Sequence, residues 1–170
     1  MLLLVLVINL LKGGFSPAEP DRTAPYKEIL IQVSGDIKNP GIYGYHHPPH
    51  LMELVTNAGG PNLRARKPVM LKDILLSSGR RIKVMGKGEK TKIIESEMSP
   101  FHKITLGLPV RLNLETMEGL TAVPGIGLKT AGNIVFERAK KGGFKRLEDL
   151  RSVKGIGPVM YDKIRLYFAL

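Results

Sequence analysis

The chain contains no cysteine. That excludes a disulfide framework, a thiolate metal site and a thiol nucleophile, and it is compatible with a reducing or an oxidising compartment. A membrane-spanning helix needs about 20 apolar residues, and no run here reaches that length. The longest, Leu2 to Leu11, is interrupted by Asn9 and closed by Lys12-Gly13-Gly14. Acidic residues are scarce, 15 against 26 Lys+Arg, for a formal charge of +11. That surplus points to a polyanionic partner, either nucleic acid or an anionic membrane surface. It is unevenly spread. Residues 1–60 carry 4 Lys+Arg against 5 Asp+Glu, residues 61–110 carry 11 against 4, and residues 111–170 carry 11 against 6. With 43% hydrophobic residues in a 170-residue chain, folded cores are affordable and one ordinary domain or two small ones are expected.

The apolar run within residues 1–12 has the length of a signal-peptide core but lacks a Lys/Arg-rich leader and a clear small-x-small cleavage site. It reads as an export or anchor segment whose upstream part is lost to a late start, or as a buried element that opens the fold. Residues 13–27, rich in Gly and Pro, read as a linker and favour the tether. From Glu28 the pattern turns to strand. Ile29 to Val33 is a short apolar run, Ser34-Gly35-Asp36 and Lys38-Asn39-Pro40-Gly41 are turn signals, and Ile42 to Tyr45 reads as the return strand of a hairpin. Leu51 to Ala58 has helical spacing and stops at Gly59-Gly60-Pro61. Arg81 to Met85 alternates as a half-buried strand. Met98-Ser99-Pro100 and Gly107-Leu108-Pro109 read as connecting turns. Residues 28–110 are therefore expected to form a small α+β unit with a basic extension.

His46, His47 and His50 surround Pro48-Pro49 without a Cys or carboxylate partner in the sequence, so an exposed loop is expected there and no metal site. The stretch from Arg80 to Lys92 is basic; it reads as a solvated hairpin or as an extra phosphate contact.

Residues 111–170 hold an internal repeat. Val123-Pro124-Gly125-Ile126-Gly127-Leu128-Lys129-Thr130-Ala131 returns thirty positions later as Val153-Lys154-Gly155-Ile156-Gly157-Pro158-Val159-Met160-Tyr161. Helices are expected near Met117–Val123, Leu128–Lys140, Leu147–Val153 and from Pro158 towards Phe168, giving an all-α unit. Each Gly-Ile-Gly makes a tight turn between two helices that bares backbone N–H groups, and the following helix aims its positive end at the same point. That combination holds a phosphate. Candidate contacts are Gly125, Ile126, Gly127, Lys129 and Thr130 in the first copy, and Lys154, Gly155, Ile156 and Gly157 in the second. Lys140, Lys141, Lys145, Arg146 and Arg151 are further basic candidates. Leu120, Val123, Ala131 and Ile134 match Leu150, Val153, Tyr161 and Ile164, so the two copies are expected to share one core about a pseudo-two-fold. Val159 stands where the first copy has Lys129, which should weaken the second grip.

Two resemblances add to this. Val33-Ser34-Gly35-Asp36, Pro40-Gly41-Ile42-Tyr43, Ala58-Gly59-Gly60 and Gly79 to Val84 resemble the SLBB domain, which implies a β-grasp fold. Leu112-Asn113-Leu114, the two glycine motifs and Gly143-Phe144-Lys145-Arg146-Leu147-Glu148-Asp149-Leu150 resemble the ComEA-type competence DNA-binding domain. Gly119 stands where that family favours a helix-forming acid, so the first helix is expected to fray. Together the resemblances imply a non-catalytic, cofactor-free receptor outside the cytoplasmic membrane, anchored through its N-terminus or held in the cell envelope. It would bind double-stranded DNA without sequence preference and pass it towards an inner-membrane channel or uptake-pilus components. Alternatives are an SLBB adaptor in polysaccharide export and a DNA-repair protein. For the last, no acidic cluster suited to two metals follows the hairpins.

Overall fold

A computed structural model describes residues 28–61, 74–87 and 90–170. The expected signal segment and linker, 1–27, and Gly88-Glu89 of the basic stretch lie outside the described residues. The chain divides into two compact units, Met1–Glu97 and Met98–Leu170.

The first unit is built on β1 (Ile29–Gly35), β2 (Gly41–Tyr45), α1 (Leu51–Asn57), β3 (Arg80–Lys87) and β4 (Lys90–Glu97). The strands form one sheet in the order β2-β1-β3-β4. β1 pairs antiparallel with β2 and parallel with β3, and β3 pairs antiparallel with β4. A parallel pair needs a crossover of a dozen residues or more; the stretch holding α1 supplies it. Alternation in β1 and β3 puts Ile31, Val33, Ile82 and Val84 on one face, where they meet Leu51, Leu54 and Val55 of α1 in a single core. The Ala-Gly-Gly segment has a structural task. Lys38 N–H donates to Gly60 O and Asn39 N–H to Ala58 O, so it fastens the β1–β2 loop to the end of α1.

The second unit corrects three expectations. It starts at Met98, twelve residues before Val110, where the first unit was expected to end. The added segment carries α2 (Pro100–Thr105), whose first turn is capped by Ser99 Oγ accepting from His102 N–H at 3.3 Å, with Pro100 at the first helical position. Ile104 of α2 packs on the core of this unit. The unit is also not all-helical. β5 (Val110–Arg111) and β6 (Phe168–Ala169) pair in parallel and bring the two ends of the unit together. Val110 and Phe168 are buried at this seam, where their backbone groups need partners that no local helix supplies. Third, residues Leu147–Ser152 form a 3-10 helix, not an α-helix. The remaining helices are α3 (Met117–Leu120), α4 (Leu128–Lys141) and α5 (Pro158–Ile164). α3 ends at Leu120, three residues short of the expected Val123. Thr116 Oγ1 accepts from Gly119 N–H at 2.9 Å, and α3 closes in turns running on to Val123.

Leu120, Val123, Ala131, Ile134, Leu150, Val153, Tyr161 and Ile164 all lie in one core. The four expected pairs, thirty residues apart, are thus all buried together. A reciprocal latch holds the edge of this core. Asn113 Nδ2 donates to Phe144 O at 2.9 Å, and Phe144 N–H donates to Asn113 Oδ1 at 2.8 Å. Truncating Asn113 to Ala leaves both backbone groups half-buried and unpaired, at about 1–3 kcal/mol. A fall in the urea midpoint of the second unit at unchanged slope is the expected result; an unchanged midpoint would remove the latch from the account.

Candidate nucleic-acid interface

Each hairpin places its glycines in different roles. Gly125 and Gly155 have φ of 91° and 96°, the left-handed region that L side chains rarely adopt, so the turn itself requires glycine there. Gly127 and Gly157 are different. Their φ angles are −86° and −81° with extended ψ, a backbone open to any residue, and an added Cβ would meet nothing within 4 Å. The fold has no need of glycine at these two positions. A ligand approaching the backbone closely at these positions would require it.

The donors follow from the turn geometry. Ile126 N–H donates to Val123 O at 3.0 Å, and Ile156 N–H donates to Val153 O at 3.0 Å. Both isoleucine side chains are buried in the core. Ile126 and Ile156 therefore plug and close the turns, and the expectation that their N–H groups meet a ligand is corrected. The open donors lie one step further on. Gly127 and Gly157 are the N-caps of α4 and α5 and offer no side-chain cap. The N–H groups of Gly127, Leu128, Lys129 and Thr130 meet no acceptor among the described residues. In the second copy Pro158 has no N–H, which leaves Gly157, Val159 and Met160 as donors. The second copy offers one amide fewer, and Val159 stands in place of Lys129 while Lys154 stands in place of Pro124.

The copies are interlocked. A Cβ at Gly125 would lie 3.2 Å from Met160 Cε, and one at Gly155 would lie 3.7 Å from Thr130 Oγ1. Thr130 and Met160 are equivalent across the repeat, so each copy's helix rests on the other copy's turn. Thr130 thus has a packing role. Asn133 Nδ2 reaches Lys154 O at 2.8 Å and ties α4 to the second hairpin.

The cations fall into two groups. Lys129, Lys154 and Lys163 are exposed, on the hairpins or on the helices that follow them, and have no ion-pair partner among the described residues. Lys140 and Lys141 sit in the last turn of α4, roughly 17 Å along the helix from Lys129 at 1.5 Å per residue. Lys140 lies 4.0 Å from Glu137, Lys141 Nζ donates to Ser152 Oγ at 2.6 Å, and Gly142 ends the helix in the left-handed conformation. Basic residues there complement the negative helix end. Lys145 is exposed in the loop beyond. The structure does not bring Lys140, Lys141 and Lys145 to the hairpin tips. Arg151 lies over the Tyr161 ring at 4.5 Å. Arg146 pairs with Asp149 at 3.5 Å. The Asp149 carboxyl is held below the usual carboxylate range, first by the Arg146 N–H and then by the Lys145 N–H. Lys163, which the thirty-residue offset aligns with Asn133, is a further exposed cation that the sequence reading does not single out.

In the first unit, His47 Nε2 lies 3.7 Å from Glu53 Oε1, a carboxylate not expected near the histidine loop. Among the described residues no three His, Cys, Asp or Glu side chains converge as a metal site. No helix among them is long and apolar enough to cross a membrane.

The class defined by these features is a tandem helix-hairpin-helix unit behind a small mixed-sheet domain. The family described as helix-hairpin-helix motif matches residues 108–169, and the SLBB domain family matches residues 30–83. In this order the two domains match the ComEA-like proteins. The chain is similar to ComE operon protein 1 of Bacillus subtilis, 28% identical over 141 residues that cover 81% of this chain and 67% of that protein. Shorter similarities join it to the endonuclease/exonuclease/phosphatase family domain-containing protein 1 of Danio rerio, 40% identical over 57 residues, and of Xenopus laevis, 38% over 56. These cover 34% and 33% of this chain but only 10% of either relative.

Proposed function

We propose that this protein binds double-stranded DNA through the phosphate backbone, without sequence preference and without catalysis, as a receptor in competence DNA uptake. The observation that carries the reading is the pair Gly127 and Gly157. Each is a glycine that the fold does not require, beside bare amides at a helix start, and the two recur thirty residues apart around one shared core. Two grips so related suit the antiparallel strands of a duplex. Nothing at the hairpins is placed to read base edges. Binding residues in this reading are Gly125, Gly127, Lys129 and Thr130 of the first copy and Lys154, Gly155 and Gly157 of the second. Lys163 joins them as an exposed cation on α5, at the repeat position of Asn133, with no ion-pair partner among the described residues. Lys140, Lys141 and Lys145 would serve only a longer footprint.

In the same reading the first unit is a β-grasp SLBB domain. The protein acts outside the cytoplasmic membrane, held there by its N-terminal segment, and hands DNA to an inner-membrane channel or to uptake-pilus components. The order of the two domains and the similarity to a competence-operon protein support this.

Each phosphate that a lysine neutralises contributes about 0.9 to the slope of log K against log salt. Lys129→Gln and Lys163→Gln are each expected to flatten that slope by about 0.9, and Lys140→Gln to leave it within error on a short duplex. Fluorescence anisotropy across a salt series reads this directly. A Lys140 effect as large as that of Lys129 would move the interface away from the hairpins.

A further inference from the structure

The face of the sheet opposite α1 in the first unit carries chemistry that the hairpins leave unused. Alternation that buries Ile82 and Val84 sends Arg81, Lys83 and Met85 of β3, with Lys92, Ile94 and Ser96 of β4, to the opposite side. The acids of β4 go with the core side, where Glu95 and Glu97 both bind Arg80. Lys83 and Lys92 are exposed and have no ion-pair partner among the described residues. Arg81 Nε donates to Ser96 Oγ at 3.3 Å. The register sets Lys83 opposite Ile94 and Met85 opposite Lys92, so lysines and aliphatic side chains alternate as a checkerboard. Met85 is 41% and Ile94 38% exposed. On this side Glu28 leans over Gly44, on the β2 edge of the sheet.

A face of cations alone would suit any polyanion. Aliphatic tips set between the cations, with no aromatic ring among them, narrow the choice. A duplex backbone gives Met85 and Ile94 nothing to bury, and a single strand uses aromatic platforms for its bases. A lipid surface uses both halves of the pattern. The apolar tips enter the acyl boundary while the ammonium groups stay among anionic headgroups.

We propose that the β3–β4 face of the first unit, through Arg81, Lys83, Met85, Lys92 and Ile94, rests on a bilayer that contains anionic lipid. The proposal stands apart from the DNA reading of the second unit. Near an anionic leaflet one Lys or Arg changes partitioning about five-fold, so two lysines account for about thirty-fold.

The test is co-sedimentation of the full chain with phosphatidylcholine vesicles, with and without about one third phosphatidylserine. Neutral vesicles report any insertion of the Leu2–Leu11 run, which all variants share. On anionic vesicles, K83Q/K92Q is expected to lose about thirty-fold in partitioning and M85S/I94S several-fold, while K129Q/K154Q in the second unit stays near wild type. All these side chains face solvent, and unchanged melting curves confirm intact folds. The proposal is overturned if K83Q/K92Q partitions like wild type. It is equally overturned if M85S/I94S has no effect while K83Q/K92Q weakens duplex binding, since the face would then be a second DNA contact.

Discussion

Replacing Gly127 and Gly157 together with asparagine is expected to abolish duplex binding while raising or preserving the melting temperature. Both positions are helix N-caps in extended backbone, and the space beyond their Cα atoms is empty. Asparagine is a better N-cap than glycine by a few tenths of a kcal/mol and satisfies a second- or third-position amide with its own side chain. The substitution therefore suits the free protein. It fails the ligand twice, by bulk at the point of closest approach and by occupying the amides a phosphate needs. Hydrogen bonds to a charged group contribute about 1.5–3 kcal/mol each. Losing two per hairpin lowers affinity on the order of a hundred-fold or more for each copy. Non-specific DNA binding starts near 10⁻⁴–10⁻⁶ M, so the double variant falls below detection. Gly125→Ala and Gly155→Ala form the contrasting pair. Their φ angles of 91° and 96° cost an L residue roughly 1–2 kcal/mol each, so these variants lose stability as well as binding. Anisotropy and thermal melting on the same samples separate the two classes. Tight binding by the double asparagine variant would remove the hairpins from the interface.

Leu120→Ala is expected to unfold the second hairpin along with the first. Leu120 and its repeat partner Leu150 are both fully buried, and they share one cluster with Ile134 and Ile164. Truncating a buried leucine costs about 2–5 kcal/mol, through lost transfer energy and the cavity left behind. A small unit of this size holds only about 5–15 kcal/mol in total, so the loss is a large share of its stability. Because there is one core and not two, the cost falls on both copies at once. Amide hydrogen exchange should show α4 and α5 losing protection together, and Leu150→Ala should reproduce the pattern. If Leu120→Ala loosened α3 and α4 while α5 kept its protection, the copies would be independent and the shared-core account wrong.

Much of this arrangement was legible in the sequence because its signals are local or repeat. The Gly-Ile-Gly turns, α4 and the four core pairs follow from a thirty-residue offset and helical spacing. β1, β2, α1 and β3 follow from short apolar runs closed by glycine and proline. Other features depend on partners far along the chain. β5 and β6 have two residues each and exist only because Val110 and Phe168 meet at one seam. α2, at six residues, is too short for a period to show. In sequence its Ser99-Pro100 start looks like a turn, although the same pair is a good cap and first helical residue. In the candidate site, the residue types at the turns were visible but the donor inventory was not. Only the backbone path shows that Ile126 and Ile156 spend their N–H groups inside the turn, and only its φ angles separate Gly127 from Gly125.

The central claim is that two glycine turns hold duplex DNA by its phosphates. It is tested most directly by a gel-shift titration of the full chain at two salt concentrations, using several unrelated duplex sequences and a single-stranded control. The account predicts the same midpoint for every duplex, weaker retention of the single strand, and a loss of affinity at the higher salt that scales with the lysines at the hairpins. Midpoints that differ markedly among duplex sequences, or a duplex affinity indifferent to salt, would contradict it.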